Sequence, residues 1–282
     1  MTLSFASSAL LESLALTECT RIHSLPEDIG CLHALKSLVL HKLSLVALPD
    51  SLCHLPSLET FVLVECTTSP HVQQLPKAFC CLTSLQSLAI VRMPWTKPPM
   101  SLPYSLEVLA LGNSYHVADL PDVSLLPWLR KLSLTLVGAE ERMAVSSSFA
   151  RVKQLELALQ EEAVELPFSL ALLPQLHTLV IWYARKMQQL PSDMGWAVPQ
   201  LRVLQIHCAR EWRELPESIG AASRLRQLHL FDCPALHHLP ASLTRLSCLH
   251  ELHVESTGLR CLPSGWPHLL RFPILPPHHM HS

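Results

Sequence analysis

The sequence predicts an α/β fold: a right-handed solenoid, or horseshoe, whose coils each add one short strand to a parallel concave β-sheet. Each coil returns through a short 3₁₀ or extended convex segment. Three observations predict it. First, the frame L-x-x-L-x-L-x-x-C-x-x-L-x-x-L-P is written from Leu11 to Pro26, with Ile22 in a leucine slot, and again from Leu225 to Pro240. It restarts at Leu35, Leu58, Leu85, Leu106, Leu129, Val152, Leu176, Leu201 and Leu249. The intervals run 24, 23, 27, 21, 23, 23, 24, 25, 24 and 24 residues, so eleven frames cover Leu11 to about Pro263. Second, Leu-Pro closes nine of the eleven frames. Third, the chain is 49% apolar but only 6% aromatic. Leucine therefore carries the hydrophobicity, as a core of many similar layers requires.

Self-similarity at this period, with these letters, is the leucine-rich-repeat signature. Within each frame the L-x-L segment is a strand: its leucines point inward, and the residues between them point out. The turn slot that follows holds Cys19, Cys66 and Cys233, where a small buried side chain fits. Elsewhere it holds Leu43, Met93, Ser114, Val137, Gln160, Ala184, Ala209 and Thr257, so the ladder is irregular. The proline of Leu-Pro has a fixed φ and no N–H, which suits a strand exit or the first position of a helical turn. In PEDIG and PESIG, Gly30 and Gly220 are expected to permit the bend back toward the core. Intervals this short favour 3₁₀ or extended returns over long helices.

One coil cannot bury enough surface to stand alone, so stability is expected to be close to one-dimensional, with caps needed at the ends. Neither end reads as a cap, and the chain is expected to be a fragment of a larger protein or to have a spliced or mispredicted end. The solenoid is assigned to residues 1–263 and a Pro/His-rich irregular tail to 264–282. The weakest frames are the third, with the insertion TTSPHVQQLP; the fourth, where Lys97-Pro98 replaces Leu-Pro; and the sixth, where Met143-Ala144 does. Gly138 and the serines of the sixth frame make it the expected site of a bulge.

Net charge is −2, with no Lys/Arg cluster, which argues against nucleic acid and anionic membrane surfaces as partners. Ten cysteines form no C-x-x-C. The N-terminus lacks a basic n-region, and Glu12 and Glu18 interrupt its apolar run, so no secretory signal is read. No apolar stretch reaches the length of a membrane span. A reducing, cytoplasmic setting is expected, with cysteines serving as small apolar residues.

The stretch LPESIG…LRQLHLFDCPALHHLPASLTRLSCLHEL resembles the repeat domains of plant intracellular immune receptors of the nucleotide-binding, leucine-rich-repeat class. The likeness covers about nine tenths of the chain. Similar frames occur in plant intracellular Ras-group repeat proteins and in bacterial repeat effectors. The resemblance implies a domain that senses a pathogen or host protein and restrains a nucleotide switch. This chain contains no G-x-x-x-x-G-K-[ST] of its own.

The outward strand residues are where a protein partner is expected. In the first coils they are bland: Ser13, Ala15, Thr17; Ser37, Val39, His41; Thr60, Val62, Val64. From the eighth coil they turn aromatic and polar. Trp182, Tyr183, Gln205, His207, His229, Phe231, Asp232, His253 and Glu255 are the candidate partner-binding residues. Aromatics ringed by polar groups are the usual material of protein hot spots. Trp212, in a leucine slot among Arg210, Glu211, Arg213 and Glu214, reads as core inside a solvated rim.

No catalytic residue and no cofactor is assigned. His250-Glu251-Leu252-His253 is one residue short of H-E-x-x-H and lies on a strand rather than a helix. Cys31, Cys53, His54, Cys80 and Cys81 take neighbouring convex positions. They could hold zinc, or close a Cys53–Cys80 disulfide, but are read as residues of a leucine-rich wall. The function expected is non-enzymatic protein recognition, possible roles being an immune-receptor sensor or an intracellular signalling scaffold.

Overall fold

A computed structural model describes residues 10–68, 75–95, 97–116, 119–137, 149–159 and 163–263. The chain divides into two compact units, 1–135 and 136–282. Eleven strands carry the repeat, one to a coil, and their order is the order of the chain. The predicted bulge around Gly138 and Met143 and the Pro/His-rich tail lie outside the described residues.

In the first unit, β1 (Ser13–Thr17), β2 (Ser37–His41), β4 (Thr60–Val64), β6 (Ser87–Val91) and β7 (Val108–His116) pair in parallel. The register aligns equivalent frame positions, as in Leu38↔Phe61 and Leu40↔Leu63. Two short strands, β3 (Ser44–Leu45) and β5 (Thr67–Thr68), form a second parallel pair. The strand β8 (Lys131–Val137) comes next in the chain. In the second unit, β9 (Gln154–Leu159), β10 (Thr178–Trp182), β11 (Val203–His207), β12 (Gln227–Cys233) and β13 (Glu251–Thr257) repeat the arrangement.

Within each unit, one carbonyl per coil joins a strand to the next by accepting two N–H groups. The Arg202 carbonyl, for example, takes Arg226 at 2.8 Å and Gln227 at 3.0 Å. Such parallel ladders leave few main-chain groups unpaired inside the stack.

The core is the leucine frame. Leu38, Leu40, Phe61, Leu63, Leu88 and Ile90 are fully buried in the first unit, as are Leu179, Ile181, Leu204, Ile206, Leu228 and Leu230 in the second. Leu14 and Leu16, in the first described strand, are only half-buried. The turn slot behaves as predicted at Cys66 and Cys233, which are buried, but Cys19 is not. It sits in that same first described coil, with a described neighbour on one side only.

The returns are 3₁₀ turns, including Glu27–Cys31, Asp50–His54, Glu217–Ala221 and Ala241–Arg245. One is a single α-turn, α1 (Met194–Ala197). The prolines sit one place earlier than the first helical residue. Pro26, Pro49, Pro216 and Pro240 occupy the capping position with φ of −69°, −68°, −66° and −65° and extended ψ. The carbonyl of each accepts the N–H three residues on, as in Ile219 to Pro216 at 3.0 Å.

The expectation for the glycines is corrected. Gly30 and Gly220 do not adopt the left-handed conformation that only glycine enters freely. What they supply is space: a Cβ on either would lie 2.6 Å from the carbonyl oxygen of Ser51 or Ser242 in the next coil. Gly195 is tighter still, its Cβ position falling 1.6 Å from the Ser218 oxygen.

Candidate functional site

Strand alternation fixes what the sheet offers on its outer face. In β10, β11 and β12 the aliphatic residues at the second and fourth positions are buried, as is Leu252 at the second of β13, so the first, third and fifth project outward. In β10–β13 the parallel register lines these up as three rows. The first is Thr178, Val203, Gln227 and Glu251; the second is Val180, Gln205, His229 and His253; the third is Trp182, His207, Phe231 and Glu255.

The residue after the fifth position turns left-handed. Tyr183, Cys208, Asp232 and Ser256 have φ of 57°, 57°, 52° and 53°. None is glycine, and each costs on the order of 1 kcal/mol of backbone strain. At Tyr183 and Cys208 the turned N–H reaches across to the next strand, bonding the carbonyls of His207 at 3.0 Å and Phe231 at 2.9 Å. This turn carries Tyr183 and Asp232 to the flank of the aromatic row.

The third row is a stack. The Trp182 and His207 rings lie 3.8 Å apart at 16°, and His207 and Phe231 lie 4.7 Å apart at 17°. His253 meets Phe231 edge-on at 4.9 Å and His229 edge-on at 5.8 Å. Trp182 stays 37% exposed and Tyr183 52%, so the row presents ring surface to solvent.

Beside it runs a polar chain. Gln205 Nε2 donates to His229 Nδ1 at 3.2 Å, and His229 Nε2 donates to Glu251 Oε1 at 3.0 Å. Gln227 Nε2 donates to the other oxygen of Glu251 at 2.6 Å. Because a carboxylate can only accept, this pairing assigns the His229 proton to Nε2. Glu255 lies 4.0 Å from His253.

His207 differs from its neighbours. Its Nε2 is buried with no hydrogen-bond partner among the described residues. Burial, and then the nearby His229, hold its pKa below the usual histidine value. The Cys208 thiol is pushed upward, by burial first and then by the Asp232 carboxylate.

The outer face of the first unit is made otherwise. Its middle row is Val39, Val62, Ala89 and Ala110, all small. Its left-handed flank is Glu18, Lys42, Glu65 and Arg92, with φ of 57°, 53°, 52° and 52°. Those four alternate in charge and satisfy one another: Lys42 bonds Glu18 at 2.9 Å, and Arg92 bonds Glu65. The pairing lowers the pKa of both glutamates, the hydrogen bond being the largest cause in each.

All nine residues assigned to partner binding from sequence fall in this one patch of β10–β13 and its flank. Gln227 and Glu251 were not assigned, although Glu251 anchors the polar chain. Their only sequence signal is that they open their strands one coil apart. Trp212 is fully buried, and Arg210, Glu211, Arg213 and Glu214 around it are exposed, as predicted.

The convex cysteines do not converge on a metal geometry. Among the described residues no three His, Cys, Asp or Glu side chains are grouped to hold a metal ion. Cys53 and Cys80 are both free thiols. Burial, then Asp50, Cys81 and Cys80, push the Cys53 thiol up to about 11, so it is a poor thiolate donor at neutral pH. Among the described residues no helix is long and apolar enough to cross a membrane.

No family model and no curated protein matches the sequence. Solved structures do match the fold. The functional domain of InlJ from Listeria monocytogenes, which includes a cysteine ladder, is similar at a TM-score of 0.55 and 18% identity, over 92% of this chain and 56% of that one. The internalin InlF from the same organism gives 0.52 and 16%, over 89% and 82%. The PEPR1–AtPEP1 complex gives 0.51 and 20%, over 87% and 35%. At these identities the likeness is one of fold alone, and the fold is the leucine-rich-repeat solenoid.

Proposed function

We propose that this chain is a non-enzymatic recognition module that binds a protein partner through the outer face of β10–β13. Trp182, Tyr183, Gln205, His207, His229, Phe231, Asp232, His253 and Glu255 are its contact residues. The observation that carries this reading is the ring stack of Trp182, His207 and Phe231, closed by His253. Stacked rings are already ordered, so a partner does not have to fix them on binding. A polar chain beside an exposed aromatic row matches the anchor-and-rim composition of hot spots.

The finer reading is the sensor and autoinhibitory region of a plant intracellular immune receptor, supported by the C-x-x-L-x-x-L-P frame quoted above. An intracellular setting is supported by buried thiols such as Cys66 and Cys233, used as small apolar residues. The alternative is an intracellular signalling scaffold outside immunity. A full-length transcript separates these two. An in-frame nucleotide-binding module upstream selects the receptor, and a reading frame without one selects the scaffold.

The binding face itself is tested by photo-crosslinking in cells. Benzoylphenylalanine replaces Tyr183 in one version and His41 of the first unit in another. We expect a discrete protein adduct from position 183 only. The pair Trp182→Ala and Phe231→Ala should remove it, since losing one such anchor costs about 2 kcal/mol or more. An adduct that survives both substitutions would overturn the assignment of this face.

A further inference from the structure

The first unit carries a solvent-open cavity of about 420 Å³ at the entry side of its strands. Tyr104, Trp128, Glu59 and Glu107 line it, with Ser84 and Ser105 among the residues between them. The repeat has no need of either ring. Tyr104 stands two residues before its frame's first leucine, where the preceding coil has Thr83. Trp128 stands one residue before its own, where the preceding coil has Ser105. Neither ring is spent on the core: Tyr104 is 57% exposed and Trp128 53%.

Two of its hydroxyls are already engaged. Ser84 Oγ donates to the Pro56 carbonyl and Ser105 Oγ to the Leu85 carbonyl, both at 2.7 Å. Two ring systems and two carboxylates are left to meet a ligand, beside the Thr83 hydroxyl and the Gln86 amide, and among the described residues no Lys, Arg or His lines the cavity. Arg130 sits 3.8 Å from Glu107, yet is itself 58% exposed, so it offsets part of one carboxylate.

We propose that this cavity is a second binding site, which takes an arginine side chain from a protein partner. A guanidinium fits its chemistry on both counts. The flat cation is attracted to the face of Trp128 or Tyr104. Its forked N–H donors pair with a carboxylate, for which Glu59 is available. A lysine ammonium lacks the planar face and holds its water more strongly. An anion would face both carboxylates, only partly offset by Arg130 beside Glu107. The site is built from residues 59–128 and does not depend on the row from Trp182 to Phe231.

The test titrates the full chain with acetyl-Gly-Arg-Gly-amide, read by saturation-transfer NMR on the peptide. The comparison peptides carry citrulline, which is nearly isosteric but neutral, or lysine. We expect saturable binding of the arginine peptide, weaker by about two- to fivefold in Trp128→Ala. Glu59→Gln and the citrulline peptide should each lose about tenfold, the charge-assisted bond being the larger part. Trp196→Ala, which removes an exposed tryptophan of the second unit, should change nothing. Both rings are surface residues, and urea melts establish that the variants fold. The proposal is overturned if the arginine peptide does not saturate. It is also overturned if citrulline or lysine binds as well as arginine, or if neither Trp128→Ala nor Glu59→Gln weakens binding.

Discussion

His207 is where packing and titration meet on the candidate face. Its ring is held between Trp182 and Phe231, and its Nε2 is buried without a partner among the described residues. A proton added there has no acceptor and lies near His229, so the folded chain resists protonation. The folded pKa therefore lies below the ordinary histidine value of about 6.5 that the unfolded chain approaches. Between those two values the unfolded state binds more protons. By linkage, stability is full above about pH 6.5 and falls as the pH drops through that value toward the folded pKa. Urea melts at pH 7.5 and 5.5 should thus show a loss on acidification. In His207→Phe, which keeps the stack without the titrating group, that loss should be smaller. An equal loss in both chains would overturn the assignment of the acid sensitivity to His207.

At the scale of a single return, the glycines act by volume. In α1, Gly195 gives its N–H to Ser218 Oγ at 3.2 Å, and the Ser218 carbonyl occupies the space a Cβ would need. Helix propensity alone favours alanine there by up to about 1 kcal/mol. Contact at 1.6 Å with a main-chain oxygen outweighs that, because the oxygen belongs to the next coil's return and cannot step aside. Gly195→Ala should lower stability by about 2 kcal/mol or more, within the range seen for overpacking. Gly112→Ala is the control. The atoms nearest its Cβ belong to the Val91 side chain, from 2.9 Å, and not to main chain, so its cost should be smaller than that of Gly195→Ala. Equal costs in equilibrium unfolding would mean that the coils adjust to each other more freely than their backbones suggest.

The same elements show what a single sequence can and cannot reveal. Strand positions were legible because inward leucines must recur once per coil. The ring row was legible because equal frames imply aligned registers, which bring Trp182, His207 and Phe231 side by side. The role of the glycines was not legible, since close approach to Ser51, Ser218 or Ser242 depends on the offset between successive returns. The left-handed residues after the strands escaped notice as well: Glu18, Lys42, Tyr183 and Asp232 share a backbone conformation but no residue type. Tyr104 and Trp128 stand at frame positions where side-chain identity is not dictated by the core, so the repeat pattern passes over them.

For the whole chain, the decisive property is that contacts are made between successive coils. The strand ladder, the paired N–H groups and the seating of each return against the next all join one coil to its neighbour. Stability should then be a sum of coil terms and nearest-neighbour terms, with damage spreading only a short way. Leu204, in β11, is fully buried between Leu179 of β10 and Leu228 of β12 in register. Leu204→Ala removes most of an inward side chain and leaves a cavity, which costs about 2–5 kcal/mol. Native-state hydrogen exchange should locate that loss. Protection should fall in β10, β11 and β12, fall less in β9 and β13, and stay close to wild type in β2 and β4. A uniform fall in every strand would instead mean that the coils unfold as one cooperative body. A substitution anywhere in the core would then weaken the candidate face as much as one beneath it.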